Sequence, residues 1–154
     1  YGTDQALLRF RVERKNFDYD ILLIGFMLEN IRRNVNIYRP TYEHMTGGLG
    51  IKPRFIDTEN GLTLLPNPVV SRLQLREVIA QRRLFELLGK EDYWYERFKL
   101  AFNEDFILFK SNLIKIAWLG YEKYHRDLRK IYREVDNEPF LITSKLLELF
   151  YNEA

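Results

Sequence analysis

The chain has 154 residues, 46% apolar and 30% charged, a balance that fits one globular domain with its own core and excludes a disordered or fibrous chain. Its 24 Lys and Arg nearly cancel its 22 Asp and Glu, so any basic patch must be local. The absence of cysteine excludes disulfides, thiolate catalysis and metal or cluster sites built on thiolates.

The sequence opens at Tyr1 rather than at a methionine, which reads as a processed or excised chain, and no signal-peptide pattern remains to be seen. Leu7 to Lys15 alternates apolar and charged residues, and the period of two predicts a short strand, although the same residues tolerate a helix. From Asp18 to Tyr38 the only breaker is Gly25. Leu28, Ile31, Val35 and Tyr38 keep helical spacing, which predicts one buried helix ended by Arg39-Pro40. Its apolar run, Ile21 to Leu28, is too short for a bilayer, which needs about 20 residues.

Residues 39–67 are the irregular part. HMTGGLGIK at 44–52 concentrates three of the eight glycines. A phosphate loop would need a hydroxyl after the lysine and a helix beyond it. Here Pro53 follows Lys52 and keeps the chain extended, so the stretch reads as a hinge. The remaining chemical reading is a backbone nest of Gly47, Gly48 and Gly50 beside Lys52 and Arg54, able to hold an anion. Asn60-Gly61 between two apolar runs predicts a hairpin at about 54–65.

Asn67-Pro68 reads as a helix start, with apolar residues at three-to-four spacing up to Leu87 and Gly89 as its cap. A second long helix is predicted from about Glu91 to Leu119, apolar on two faces as in the middle of a bundle. Gly120 breaks or bends it before YEKYHRDLRKIYREVD. Glu138-Pro139 is the next stop, and a short helix after a Thr or Ser cap closes the chain. The fold class is therefore mainly α, a helical bundle of four to five helices with a small β-hairpin and loop insertion near 40–67. It forms a single domain of three parts: 1–38, the arm at 39–67, and the helical body at 68–154.

Catalytic patterns are missing. His44 and His125 stand apart without a metal-like spacing, and no Gly-x-Ser-x-Gly elbow exists. Asp18 and Asp20, or Asp57 and Glu59, are the carboxylates a metal-dependent nuclease would need, yet acids at these places also suit a helix start and a turn. No cofactor or metal is implied. Arg72, Arg76 and Arg83 recur at helical spacing, as do Arg126, Arg129 and Arg133. Arginine makes 15 of the 24 cations, and it is suited to phosphate or carboxylate. Interleaved acids such as Glu122 and Glu134 allow a salt-bridged solvated face instead. Aromatic residues form 15% of the chain, a surplus over what core filling requires. In DYWYERF at 92–98, Tyr93, Trp94 and Tyr95 point three ways round a helix, and with Arg97 and Trp118 they make a candidate partner surface.

These features favour a non-catalytic structural or assembly subunit of a larger multi-protein complex, joined to other protein subunits by aromatic anchors and arginines. The alternative is a nucleic-acid-binding domain of a ribonucleoprotein or packaging assembly, and a metal-dependent nuclease comes third. No transmembrane helix is expected, and no compartment follows from the residues.

Overall fold

In the computed structural model, residues 2–41, 43, 50–81, 83–88, 91–95, 111–125 and 130–154 are described. Among them the order is α1 (Thr3–Glu13), a 3-10 turn (Arg14–Asn16), α2 (Glu29–Asn34), a second 3-10 turn (Arg39–Thr41), β1 (Arg54–Thr58) and β2 (Gly61–Leu65). These are followed by α3 (Arg72–Ala80), α4 (Leu84–Leu88), α5 (Asn112–His125), α6 (Lys130–Arg133) and α7 (Glu138–Glu153). The protein is mainly helical with one small antiparallel hairpin.

Contacts divide the chain into two units. The first takes residues 1–35, 53–66 and 131–154, and the second takes 36–52 and 67–130. The arm at 39–67 is shared, its hairpin going to the first unit and its opening stretch to the second.

In the first unit, α1 and α2 pack on α7, which also meets β1. The residues of α7 buried toward them are Pro139, Ile142, Thr143, Leu146 and Phe150, one stripe at helical spacing. They join Leu7, Ile31, Val35 and Phe55 among the buried residues of this unit. A polar seam threads the same helices. Asn34 is fully buried; its Nδ2 donates to Thr143 Oγ1 at 2.8 Å, and its Oδ1 accepts the Asp4 N–H at 3.3 Å. Thr143 in turn donates to the Pro139 carbonyl at 2.7 Å. Each member is satisfied, so the seam fixes the register of three helices at little desolvation cost.

The helix at the chain's end begins earlier than its sequence suggests. Asn137 caps it by accepting the Phe140 N–H at 2.9 Å. Pro139 sits inside the first turn, where a backbone N–H has no partner to lose. The proline read as a stop is thus part of the start. At the other end Arg11 grips Glu153 in two places, Nε to Oε2 at 2.9 Å and Nη2 to Oε1 at 2.5 Å. The hydrogen bond from Arg11 holds the Glu153 carboxyl below the usual glutamate range, with the nearby charges of Arg11 and Arg14 adding to it against some desolvation. A depressed carboxylate stabilises the fold above its unfolded-state value and stops doing so as pH falls through its folded value. Glu153→Gln is therefore expected to remove at most about 1 kcal/mol at neutral pH. It should also flatten the acid limb of the stability-versus-pH curve, read by urea denaturation at stepped pH.

The hairpin forms where Asn60-Gly61 places it, in register Arg54 with Leu65 and Thr58 with Gly61. Glu59 and Asn60 make the turn, and Gly61 opens the return strand with φ +92°, a left-handed conformation that favours glycine. Two ion pairs fasten β1 to α7: Arg54 with Glu138, and Asp57 with Lys145 at 2.6 Å.

Two N-terminal expectations are overturned. Residues 7–15 lie in α1 and the following turn rather than in a strand, because Leu7, Asp4 and Thr3 make one inward helical face that the period of two masks. The helix expected over 18–38 is reduced to α2. Phe17 to Met27 has no regular structure, and most of its side chains are exposed.

In the second unit, residues 37–39 lie antiparallel to 50–52. Arg39 N–H donates to the Gly50 carbonyl and Lys52 N–H to the Ile37 carbonyl, both at 2.9 Å. Ile37, Tyr38, Leu84 and Leu88 form a cluster with Ile51, Leu75 and Val78 against it. Burial pushes the Tyr38 phenol up from its ordinary value. The helix expected from Asn67 to Leu87 is divided into α3 and α4, and α3 starts at Ser71, whose Oγ accepts the Gln74 N–H at 3.1 Å. Much of the long helix expected over 91–119 lies outside the described residues. Its described end, α5, continues through Gly120 without a break. A methyl group on Gly120 would meet nothing within 4 Å. Gly120→Ala is expected to raise stability by about 0.5–1 kcal/mol through lower backbone entropy in the unfolded chain, seen as a higher thermal midpoint.

Candidate functional site

The residues expected to meet a partner start at a turn built by one carboxylate. Asp92 is completely buried. Its Oδ1 accepts the N–H groups of Trp94 and Tyr95 at 2.9 and 3.2 Å, a local turn that a short acidic side chain favours. Its Oδ2 accepts the N–H groups of Ile37 and Tyr38 at 2.8 and 2.9 Å. Asn36 Nδ2 stands 3.4 Å from Oδ2 and reaches the Tyr38 carbonyl at 2.6 Å. Thr41 Oγ1 lies 3.2 Å from Oδ1 and 2.5 Å from the same carbonyl.

Four backbone donors converge on one carboxylate away from water. Such a group has its lone pairs occupied by donors of its own chain. It is a structural clamp between two distant stretches of the second unit. Among the described residues, no three His, Asp or Glu side chains group as metal ligands.

The clamp decides where the aromatic run goes. Trp94 is only 1% exposed, with the Tyr93 ring edge-on at 5.1 Å. Expected to meet a partner, it is buried within the chain, and its N–H donates to Asp92. Tyr93 and Tyr95 are half-buried, Trp118 stacks on Tyr121 at 6.0 Å, and Arg97 lies outside the described residues.

The proposed anion nest is not assembled in the described residues. Gly47 and Gly48 lie outside them. Gly50 turns its carbonyl to Arg39, and the Lys52 N–H is spent on Ile37. Arg54 is buried and pairs with Glu138. The described arginines of the two expected faces fall in both units. Arg72 and Arg76 are exposed on α3, and Arg83 is exposed with Glu86 at 3.4 Å. Arg133 is exposed in the other unit, while Arg126 and Arg129 lie outside the described residues. Of the candidate nuclease acids, Asp57 is engaged by Lys145.

What the sequence reading missed is apolar surface. In the first unit Ile21, Leu23, Met27 and Leu28 stand exposed. In the second, Leu113, Ile116, Tyr121 and Tyr124 are exposed along α5, spaced so that they share one side of the helix. Val70 and Leu73 are exposed at the start of α3. The signal for the first patch was present: eight consecutive residues without a polar one have no phase that could turn a polar side outward. No helix among the described residues is long and apolar enough to cross a membrane. Neither a known protein family, nor a curated protein, nor a solved structure gives a significant match to this chain.

Proposed function

We propose that the chain is a non-catalytic structural or assembly subunit of a larger multi-protein complex. One observation carries this reading: both units hold runs of large apolar side chains in the open, Ile21 to Leu28 in one and the α5 side in the other. Scattered exposed apolar residues are ordinary, but contiguous patches are a liability for a free monomer and a resource for an assembled one. In this proposal partner subunits cover those patches, and the exposed Arg72, Arg76 and Arg133 pair with acidic groups at the rim. Packing of the helical segments into a bundle of four to five helices belongs to the same proposal. The test is the mass and composition of the particle isolated undenatured from its source. A large particle containing other proteins in fixed ratio is expected; a free, lone chain overturns the reading.

Nucleic-acid binding is the second reading. It is favoured by Arg72 and Arg76, one turn apart on α3 and without an ion pair among the described residues. Affinity falling steeply with salt and weakened by Arg72→Ala with Arg76→Ala would move it to first place. A nuclease would further require magnesium-dependent cleavage that is lost when Asp57 and Glu59 are changed together.

A further inference from the structure

We infer that the stretch Phe17 to Leu28 is a proteolytic processing site, cut once between Leu23 and Ile24 by a protease whose specificity pocket takes a large apolar side chain. This does not depend on the assembly role proposed above.

The backbone gives the first argument. A protease reads its substrate as an extended segment, pairing the segment's N–H and carbonyl groups with the edges of its own cleft. A helix or strand must first give up its internal hydrogen bonds to be read in this way, at a cost in opening free energy. From Asp18 to Phe26 no backbone N–H or carbonyl is hydrogen-bonded among the described residues, so nine successive residues need no such opening. Phe17 enters the stretch in extended backbone, with φ −131° and ψ 136°. Midway, a methyl group built on Gly25 would meet nothing within 4 Å. Other described connections offer less. The hairpin turn is only Glu59 and Asn60 between paired strands, and the approach to α3 carries Pro66 and Pro68, which have no N–H to give a cleft.

Position and exposure choose the bond. Phe17 abuts a 3-10 turn, and the Met27 carbonyl already accepts the Asn30 N–H at the entry to α2. A cleft that grips several residues on each side of the scissile bond therefore fits only near the middle. There Leu23 is 88% exposed, while Leu22 is half-buried and Ile24 is 38% exposed. Leu23 enters an apolar pocket without giving up packing, and the residue in that pocket sets where a protease cuts. No Lys or Arg stands between Lys15 and Arg32, so a protease selecting a basic residue finds nothing here.

The step consumes only water. Its hydroxyl joins the Leu23 carbonyl carbon and its proton joins the Ile24 nitrogen as the bond between them breaks, leaving after ionisation a carboxylate and an ammonium. The product stays together, because what holds α1 is noncovalent: the buried Leu7, the Phe10 ring 5.7 Å from that of Phe150, and the Arg11–Glu153 pair. Cleavage thus turns α1 from a tethered helix into a bound one, kept by affinity alone.

The purified whole chain is treated in native buffer with a trace of subtilisin, which accepts apolar residues in its pocket, and sampled by intact-mass spectrometry. Fragments 1–23 and 24–154 are expected to accumulate before any others, to co-elute in size exclusion and to part in urea. Cutting by way of global unfolding would instead offer every apolar residue at once, and no single pair would accumulate. Leu23→Asp should slow hydrolysis of the 23–24 bond at least about a hundredfold, with melting unchanged because the side chain is already in water. A first cut elsewhere or a ladder without an accumulating pair overturns the inference. So does a chain left whole while a denatured protein in the same tube is digested, or Leu23→Asp cut at the wild-type rate. Fragments that separate in native buffer overturn the two-chain product.

Discussion

Replacing Asp92 by alanine is expected to cost about 3–5 kcal/mol, a large share of the roughly 5–15 kcal/mol that keeps a domain folded. The reason is asymmetry. Making one of these hydrogen bonds gains little over water, but leaving a buried donor bare costs about 1–3 kcal/mol. Alanine would strand the N–H groups of Ile37, Tyr38, Trp94 and Tyr95 together. Water admitted into the vacated space recovers part of that, so the four penalties do not add in full. Asp92→Asn should recover only a fraction, because its single carbonyl oxygen serves one pair of donors while its amide group faces the other pair. Urea denaturation followed by circular dichroism gives the midpoint and slope. A loss below about 0.5 kcal/mol for the alanine variant would mean that the carboxylate is not the clamp described.

Trp94→Ala is expected to cost a similar amount, about 3–5 kcal/mol, by removing the largest fully buried side chain among the described residues. The same variant decides between core and interface. If Trp94 met a partner, its loss would weaken assembly and leave the lone chain as stable as before. If it is interior, the lone chain melts earlier and assembly fails only as a consequence. Because its N–H binds Asp92, the double variant with Asp92→Ala should lose less than the sum of the two single losses.

How much of this was written locally in the chain can be seen element by element. The hairpin was, because Asn60-Gly61 carries a backbone requirement that few other residues meet. The inward stripe of the last helix was, although Pro139 hid its start: a proline reads the same whether it stops a helix or sits in its first turn. Residues 7–15 failed for a different reason, since Leu, Arg, Phe, Arg and Val alternate in type while the helix uses only one side of them. The run at 21–28 failed because a stretch with no polar residue cannot report its own period. Of the candidate site, nothing local foretold the clamp. The donors at Ile37 and Tyr38 are 55 and 54 residues away from Asp92, and an isolated aspartate before three aromatics gives no sign of that appointment.

The wide spacing of these contacts also orders events as the chain is made. The first unit is sealed by its last helix: Asn34 meets Thr143 across 109 positions, and Arg11 meets Glu153 across 142. The clamp of the second unit closes once Asp92 and the turn after it are available. On a ribosome, which delivers the chain from its N-terminus, α1 and α2 therefore emerge well before the helix that covers them. Their own partner helix, α7, is made only after the whole of the second unit. A ribosome stalled before Asn137 would hold a nascent chain whose Leu7, Ile31 and Val35 lack the helix that packs over them, with the exposed apolar run Ile21 to Leu28 already made.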